Sequence, residues 1–145
     1  MIVDTSDMDA PERYEQLIAY LESHLPEPLE RHERADGTLQ LVAGDPPELV
    51  VLLTEASVVV SEFAAVRDTP RTLLPRPRRV GLLKWRRLPE TALFNALAAL
   101  LKGASEARTS RFRTCEECGR RTPPERLRSD RVCQECADQQ GRAVH

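Results

Sequence analysis

The sequence predicts an α+β fold, in which a small antiparallel four-stranded sheet with two flanking helices is followed by a zinc finger with four cysteine ligands. Three observations predict it: helical periodicity near each end of the first 107 residues, short apolar segments separated by turn formers between them, and two Cys-x-x-Cys pairs near the C-terminus. The chain has 145 residues, so we expect two small domains, residues 1–107 and residues 108–145.

The first helix is predicted to begin at Asp9, which can accept hydrogen bonds from the first free amides, and Pro11 suits its first turn. Apolar residues then recur at helical spacing as far as Leu25, and Pro26 and Pro28 end the helix. The apolar face consists of Tyr14, Leu17, Ile18, Leu21 and Leu25.

Three segments rich in branched apolar residues are predicted strands, namely 39–42, 49–53 and 58–66. Their connections are too short for a crossover, so the strands must be antiparallel neighbours. Residues 67–79 contain three prolines, which predict a loop or a protected edge. Residues 80–87 can then form the fourth strand.

The second helix is predicted to begin at Pro89 and Glu90 and to lie on the sheet. The pattern leaves open whether it ends at Gly103 or continues to Arg108. Its apolar stripe consists of Leu93, Phe94, Leu97, Leu100 and Leu101.

The four cysteines of the chain form a predicted metal site. Two residues between the members of each pair let both sulfurs reach one ion, and four thiolates at the corners of a tetrahedron are typical of structural zinc. Gly119 suits a zinc knuckle after the first pair, whereas the second pair can begin a helix, which favours a treble clef over a zinc ribbon. We therefore expect one structural Zn²⁺ per chain, bound by Cys115, Cys118, Cys133 and Cys136.

The spacing of these cysteines fits other metal or redox sites less well than it fits structural zinc. A rubredoxin-type iron site would call for a second knuckle glycine, and redox-active dithiols do not need two pairs at finger spacing. Catalysis at the metal is not expected, because four thiolates leave no coordination position for water. The sequence also lacks a nucleophile elbow, a phosphate loop and an H-E-x-x-H motif, so we expect no enzyme activity.

The finger resembles the C-terminal zinc finger of the DksA/TraR family of bacterial transcription regulators. The resemblance rests on Cys115-x-x-Cys118-Gly119, Arg126-Leu127 and Cys133-x-x-Cys136. Those regulators carry a long helical hairpin with acidic residues at its tip before the finger, where this sequence predicts strands. The resemblance therefore implies the four metal ligands, and it does not imply insertion into RNA polymerase.

Charge is distributed unevenly along the chain, although the net charge is only −2. Residues 1–66 hold fourteen acidic residues and three arginines, whereas residues 67–87 hold eight basic residues and one aspartate. This basic stretch is a candidate for phosphate contacts, unless the two halves neutralise each other within one fold. Trp85, inside the stretch, suits a core position better than a stacking platform. The candidate nucleic-acid-binding residues are Arg76, Arg78, Arg79, Lys84, Arg86 and Arg87.

These features predict a non-enzymatic zinc-binding adaptor or regulator that contacts nucleic acid or a nucleic-acid machine, such as the transcription or translation machinery. The alternative is a protein-interaction module or homo-oligomer with a purely structural zinc finger. No apolar run approaches the roughly 18 residues of a membrane span, and no secretory signal precedes the first helix. We therefore expect a cytoplasmic protein without a membrane partner, whose thiols stay reduced and able to bind metal.

Overall fold

The computed structural model describes residues 5–69, 72–129 and 131–143. It confirms the α+β class and the antiparallel sheet. Within those ranges the elements follow in the order α1 (Thr5–His24), β1 (Leu29–Glu33), β2 (Leu39–Ala43), β3 (Leu49–Leu53), β4 (Val58–Glu62), β5 (Ala65–Thr69), β6 (Thr72–Pro75), β7 (Arg78–Leu83), α2 (Glu90–Ser110), β8 (Arg113–Thr114), β9 (Arg121–Thr122) and α3 (Gln134–Ala143).

The main sheet has five strands in the order β1-β2-β3-β4-β7, so the prediction of four was wrong. The additional strand is β1, which pairs antiparallel with β2 from Leu29 opposite Ala43 to Glu33 opposite Leu39. Four of its five residues are exposed and polar, so an apolar pattern could not reveal it. The fourth predicted strand is also shorter than expected, because β7 ends at Leu83 and Trp85–Arg87 forms a 3-10 turn.

The segment predicted as a loop or protected edge is largely a two-stranded hairpin, β5 and β6, which we call the arm. The predicted strand 58–66 is divided accordingly, since β4 ends at Glu62 and β5 begins at Ala65. The arm continues the β4–β7 pair outwards, and the Arg76 amide donates to the Ala64 carbonyl at 2.7 Å at the junction. The prolines did not predict a loop correctly here, because Pro75 lies at the end of the β5–β6 pairing, opposite Ala65, and does not interrupt it.

Both long helices pack on one face of the sheet. The core joins Leu17 and Leu21 of α1, Leu93 and Leu97 of α2, and inward side chains of the strands such as Val51. Fully burying each leucine side chain stabilises the fold by roughly 1.5–3 kcal/mol. The apolar faces predicted for the two helices are therefore the ones that form the core.

Trp85 lies at the centre of this core, with no exposed surface. Its indole Nε1–H donates to the carbonyl of Thr54 at 3.0 Å, which satisfies the one polar atom that the ring buries. The expectation of a core tryptophan is confirmed. The ring is not accessible for stacking on a nucleic-acid base.

The ends of the helices differ from the sequence prediction. Helix α1 begins at Thr5, four residues before Asp9, so that Pro11 lies inside it. Helix α2 continues to Ser110, past Gly103, and the boundary predicted between residues 107 and 108 falls within it. No helix in the described ranges is long and apolar enough to cross a membrane.

Candidate metal centre

The first cysteine pair lies in the turn between β8 and β9. The Cys115 amide donates to the Arg120 carbonyl, and the Gly119 amide donates to the Cys115 carbonyl, both at 2.9 Å. Gly119 has φ +74°, a left-handed conformation that other residues adopt only at a cost. This is the knuckle geometry that the sequence predicts, and it places Cys115 and Cys118 on one side of the turn.

The second cysteine pair lies at the start of α3. Cys133 directly precedes the helix, Cys136 lies in its first turn, and the Ala137 amide donates to the Cys133 carbonyl at 3.0 Å. An antiparallel bridge between Leu127 and Cys133 holds the incoming chain. The backbone also connects the two pairs directly, because the Cys133 amide donates to the Cys115 sulfur at 3.4 Å.

The four sulfur atoms lie within 4.8 Å of one another, and those of Cys118 and Cys133 are 3.9 Å apart. Tetrahedral zinc with bonds of about 2.3 Å holds its sulfurs about 3.8 Å apart, so the cluster has the right size for one ion. The four cysteines are free thiols, of which Cys115 and Cys133 are buried.

The surroundings already favour charge on one of the sulfurs. The pKa of Cys115 is lowered to about 6, chiefly by the hydrogen bond from the Cys133 amide. The pKa of Cys136 is raised, chiefly because its thiol hydrogen-bonds to the neighbouring sulfur of Cys133. Four thiolates at this spacing repel one another, and a divalent cation at their centre compensates that charge.

Four sulfur donors in a tetrahedron suit zinc or a rubredoxin-type iron, and they leave no open coordination position. A metal here would connect the β8–β9 turn to α3, two segments that are separated by fourteen residues. The cluster is therefore suited to a structural task.

A buried ion pair joins this finger to the rest of the fold. The guanidinium of Arg108 is 1% exposed and forms a double hydrogen bond with the carboxylate of Glu125, whose side chain is 5% exposed. Its Nε donates to the Pro47 carbonyl at 3.0 Å. The ring centres of Phe63 and Phe112 lie 5.2 and 5.0 Å from the guanidinium carbon, within the range of cation–π contacts.

A second buried carboxylate lies nearby. Glu62 is 3% exposed and accepts from Arg111 of the α2 end at 3.1 Å, with Arg78 at 3.7 Å. On the arm, Arg67 donates to the side chain of Gln134 at 3.1 Å. The finger thus contacts the end of α2 and the arm. Sequence reasoning missed all of these contacts.

A groove with a volume of about 680 Å³ lies between the arm and the finger. Arginine and acidic side chains both line it, including Arg120, whose guanidinium is 3.3 Å from the Glu135 carboxylate. Glu125, also in the lining, is neutralised by Arg108. The lining holds four arginines against three acidic residues, and Asp138 also pairs with an arginine outside the lining, Arg128, so the groove carries an excess of positive charge.

The six basic residues predicted to contact nucleic acid are all exposed, but they do not share one environment. Arg78 points towards Glu62, and the guanidinium carbon of Arg86 lies 5.4 Å from the Trp85 ring centre. Arg79 lies in β7 opposite Ser61. Their contact with nucleic acid stays a prediction.

Comparison of the chain with protein-family models, with curated proteins and with solved structures gave no match. The case for a function therefore depends on the residues of the site.

Proposed function

We propose that the protein is a non-enzymatic zinc-binding adaptor or regulator, in which one Zn²⁺ has a structural role. The observation that carries this proposal is the cluster of four cysteine sulfurs within 4.8 Å, contributed by two separate segments. Four thiolates fill the coordination shell, so the bound metal would supply folding energy and no water for catalysis.

The composition of the finger supports a structural metal. Among the described residues from Arg113 onwards, no leucine, valine or aromatic side chain is buried. A segment without an apolar core needs another source of folding free energy, and metal binding provides it in small domains of this kind. The buried residues there are Cys115, Thr122, Pro123 and Cys133.

The finer architecture that we propose for the finger is a treble clef. One ligand pair lies on a knuckle and the other at the start of α3, whereas a zinc ribbon would repeat the knuckle. The proposed likeness to DksA/TraR fingers extends to these four ligands only. Its regulatory partners are not carried over with them.

Removing the metal tests the proposal. Hydrogen exchange of the reduced protein should show that a chelator abolishes amide protection in residues 113–139, while the central strands β2, β3 and β4 keep theirs. Cys118→Ser should reproduce the chelator's effect without chelator. Unchanged protection of the finger after complete metal removal would refute a structural metal.

Nucleic acid is the first candidate partner, because the six candidate residues within the 67–87 stretch are exposed. Since Trp85 is buried, any such binding depends on charge and not on stacking. The logarithm of the affinity should then fall linearly with the logarithm of salt concentration, with a slope shallower by about one unit for each phosphate-contacting arginine removed. Arg76→Ala with Arg79→Ala tests this, and Arg113→Ala on the finger is the control. No oligonucleotide binding at low salt refutes it.

A protein partner is the second candidate, and a different observation favours it. Among the side chains that the structure describes, the large hydrophobic ones that are about 40% exposed lie in the arm or in β7, and clustered exposed aliphatic residues are typical of protein interfaces. Sedimentation of nucleic-acid-free protein distinguishes this candidate from the first. These side chains are Val66, Leu73, Leu74, Val80 and Leu82.

A further inference from the structure

The face of the main sheet that points away from the helices has a regular arrangement of side chains. The strand register aligns them in two rows that cross all five strands. One row is Glu30, Val42, Val50, Ser61 and Arg79, and the other is His32, Gln40, Leu52, Val59 and Leu82. We call this surface the outer face.

The outer face is apolar in the middle. Val50 and Val59 are buried but do not belong to the core cluster, which takes Val51 and Val60 from the opposite side of the same strands. A shallow groove of about 270 Å³ runs over Val50, Leu52 and Val59, and its polar lining includes Arg79 and Arg34, whose guanidinium donates to the Gln40 side chain. Leu82, at the β7 end of the second row, is 40% exposed. The apolar middle of this face is thus largely shielded by its neighbours, and the apolar side chain that it leaves open to a partner is Leu82.

The two ends of the first row carry opposite charges. Glu30 lies at the β1 edge and Arg79 at the β7 edge, and both are exposed. Among the described residues, neither takes part in an ion pair within the chain. The row therefore runs from an acidic residue through apolar and small side chains to a basic residue. If a second copy of the row lay opposite it in the reverse direction, each acidic end would face a basic end.

We propose that the partner of this face is a second copy of this chain, packed outer face to outer face about a two-fold axis that runs parallel to the strands over β3. This axis keeps each row opposite the same row but reverses its direction. Glu30 then faces the partner's Arg79 at one rim, and the same pair recurs at the other rim. The aligned packing of two sheets about 10 Å apart is the common sandwich geometry.

Charge selects this axis over the other face-to-face arrangement. A two-fold axis perpendicular to the strands would place β1 against β1 and hence Glu30 near its own copy, which is repulsive. Only the parallel axis makes both rims attractive. The proposal rests on the protein-binding candidate above, but it needs neither the metal nor the arm.

The size of the face sets the strength of the dimer. Five strands about 4.8 Å apart and about 16 Å long give a projected area of roughly 300 Å² per copy. The two copies together would bury roughly 600 Å² of projected area, which is below the about 1,200–2,000 Å² of standard specific interfaces, so the association is weak. We therefore expect a dimer that dissociates on dilution in the micromolar range.

Analytical ultracentrifugation of the zinc-loaded protein, from about 1 µM to 1 mM, tests the proposal. Glu30→Arg and Arg79→Glu should each raise the dimer dissociation constant by about tenfold or more, because each puts like charges at both rims. The combined variant Glu30→Arg with Arg79→Glu should return the constant to within about threefold of the unmodified protein.

Two charge reversals elsewhere serve as controls. Glu55→Arg, in the β3–β4 turn, and Arg87→Glu, in the 3-10 turn after β7, make the same charge changes at exposed sites outside the outer face. They should leave the dissociation constant unchanged. A protein that is monomeric at 1 mM, or a double reversal no better than the single ones, would overturn the proposal. Neither result would affect the metal content, which tests the proposed function separately.

Discussion

Replacing Glu125 by alanine should destabilise the protein by about 3–5 kcal/mol. The guanidinium of Arg108 is 1% exposed, and Glu125 supplies both oxygens of its double hydrogen bond. Removing the carboxylate leaves a buried cation without a counterion, and breaking a buried pair in this way carries a penalty of about that size. The remaining bond to the Pro47 carbonyl is neutral and does not compensate the charge.

The same finger offers a matched control. Glu135 also pairs with an arginine, Arg120, at 3.3 Å, but their side chains are 65% and 69% exposed. Glu135→Ala should therefore destabilise the protein by no more than about 1 kcal/mol. Replacing both buried partners, as Arg108→Met with Glu125→Leu, should recover most of the loss from Glu125→Ala, because no buried charge then remains.

Urea unfolding at a fixed free zinc concentration measures these differences. For a chain of this length, about 3–5 kcal/mol corresponds to a fall in Tm of roughly 10 °C or more. Equal stability losses for Glu125→Ala and Glu135→Ala would refute the reasoning, since Glu125→Ala alone leaves an uncompensated charge buried away from water.

Three further predictions concern single residues. Cys118→Ser should weaken zinc binding by more than roughly 10- to 100-fold, which is the loss expected when a group that only hydrogen-bonds to a metal ligand is removed. A competition titration with a chromophoric chelator measures the zinc affinity. Gly119→Ala should destabilise the zinc-loaded protein by about 1–2 kcal/mol, because alanine adopts the φ of +74° only at a cost. An added Cβ would meet nothing within 4 Å, so no steric clash contributes to this loss. Gly103→Ala, equally unobstructed but inside α2, should stabilise by up to about 1 kcal/mol, and urea unfolding that gives both glycine variants the same sign would contradict the backbone explanation. Trp85→Phe should destabilise by about 1–3 kcal/mol in the same assay, because it leaves the Thr54 carbonyl without its donor, whereas an unchanged midpoint would mean that this bond contributes nothing.

The features that depend on short-range pattern could be predicted from the sequence. Strand β3 has the predicted bounds, and β2 extends one residue beyond its prediction, because short segments rich in apolar residues between turn formers leave little alternative. The four cysteines come together as expected, since two residues between the members of each pair fix the local geometry.

The features that depend on contacts between distant residues could not be predicted. Strand β1 is stabilised by pairing with β2, so its exposed edge carries no apolar signal. The arm forms where the chain continues the β4–β7 pair beyond the main sheet, and no local sequence pattern predicts that pairing. Nothing in the sequence distinguishes Arg108 from the other eighteen arginines, and only the approach of Glu125, Phe63 and Phe112 shows that it is buried.

The most direct test of the central claim is a native mass measurement of the reduced protein, before and after treatment with a chelator. We expect one zinc ion for each chain before treatment, none afterwards, and a shift to higher charge states as the finger loses its structure. A chain purified under reducing conditions that holds no metal and cannot take up one equivalent of Zn²⁺ would contradict the claim.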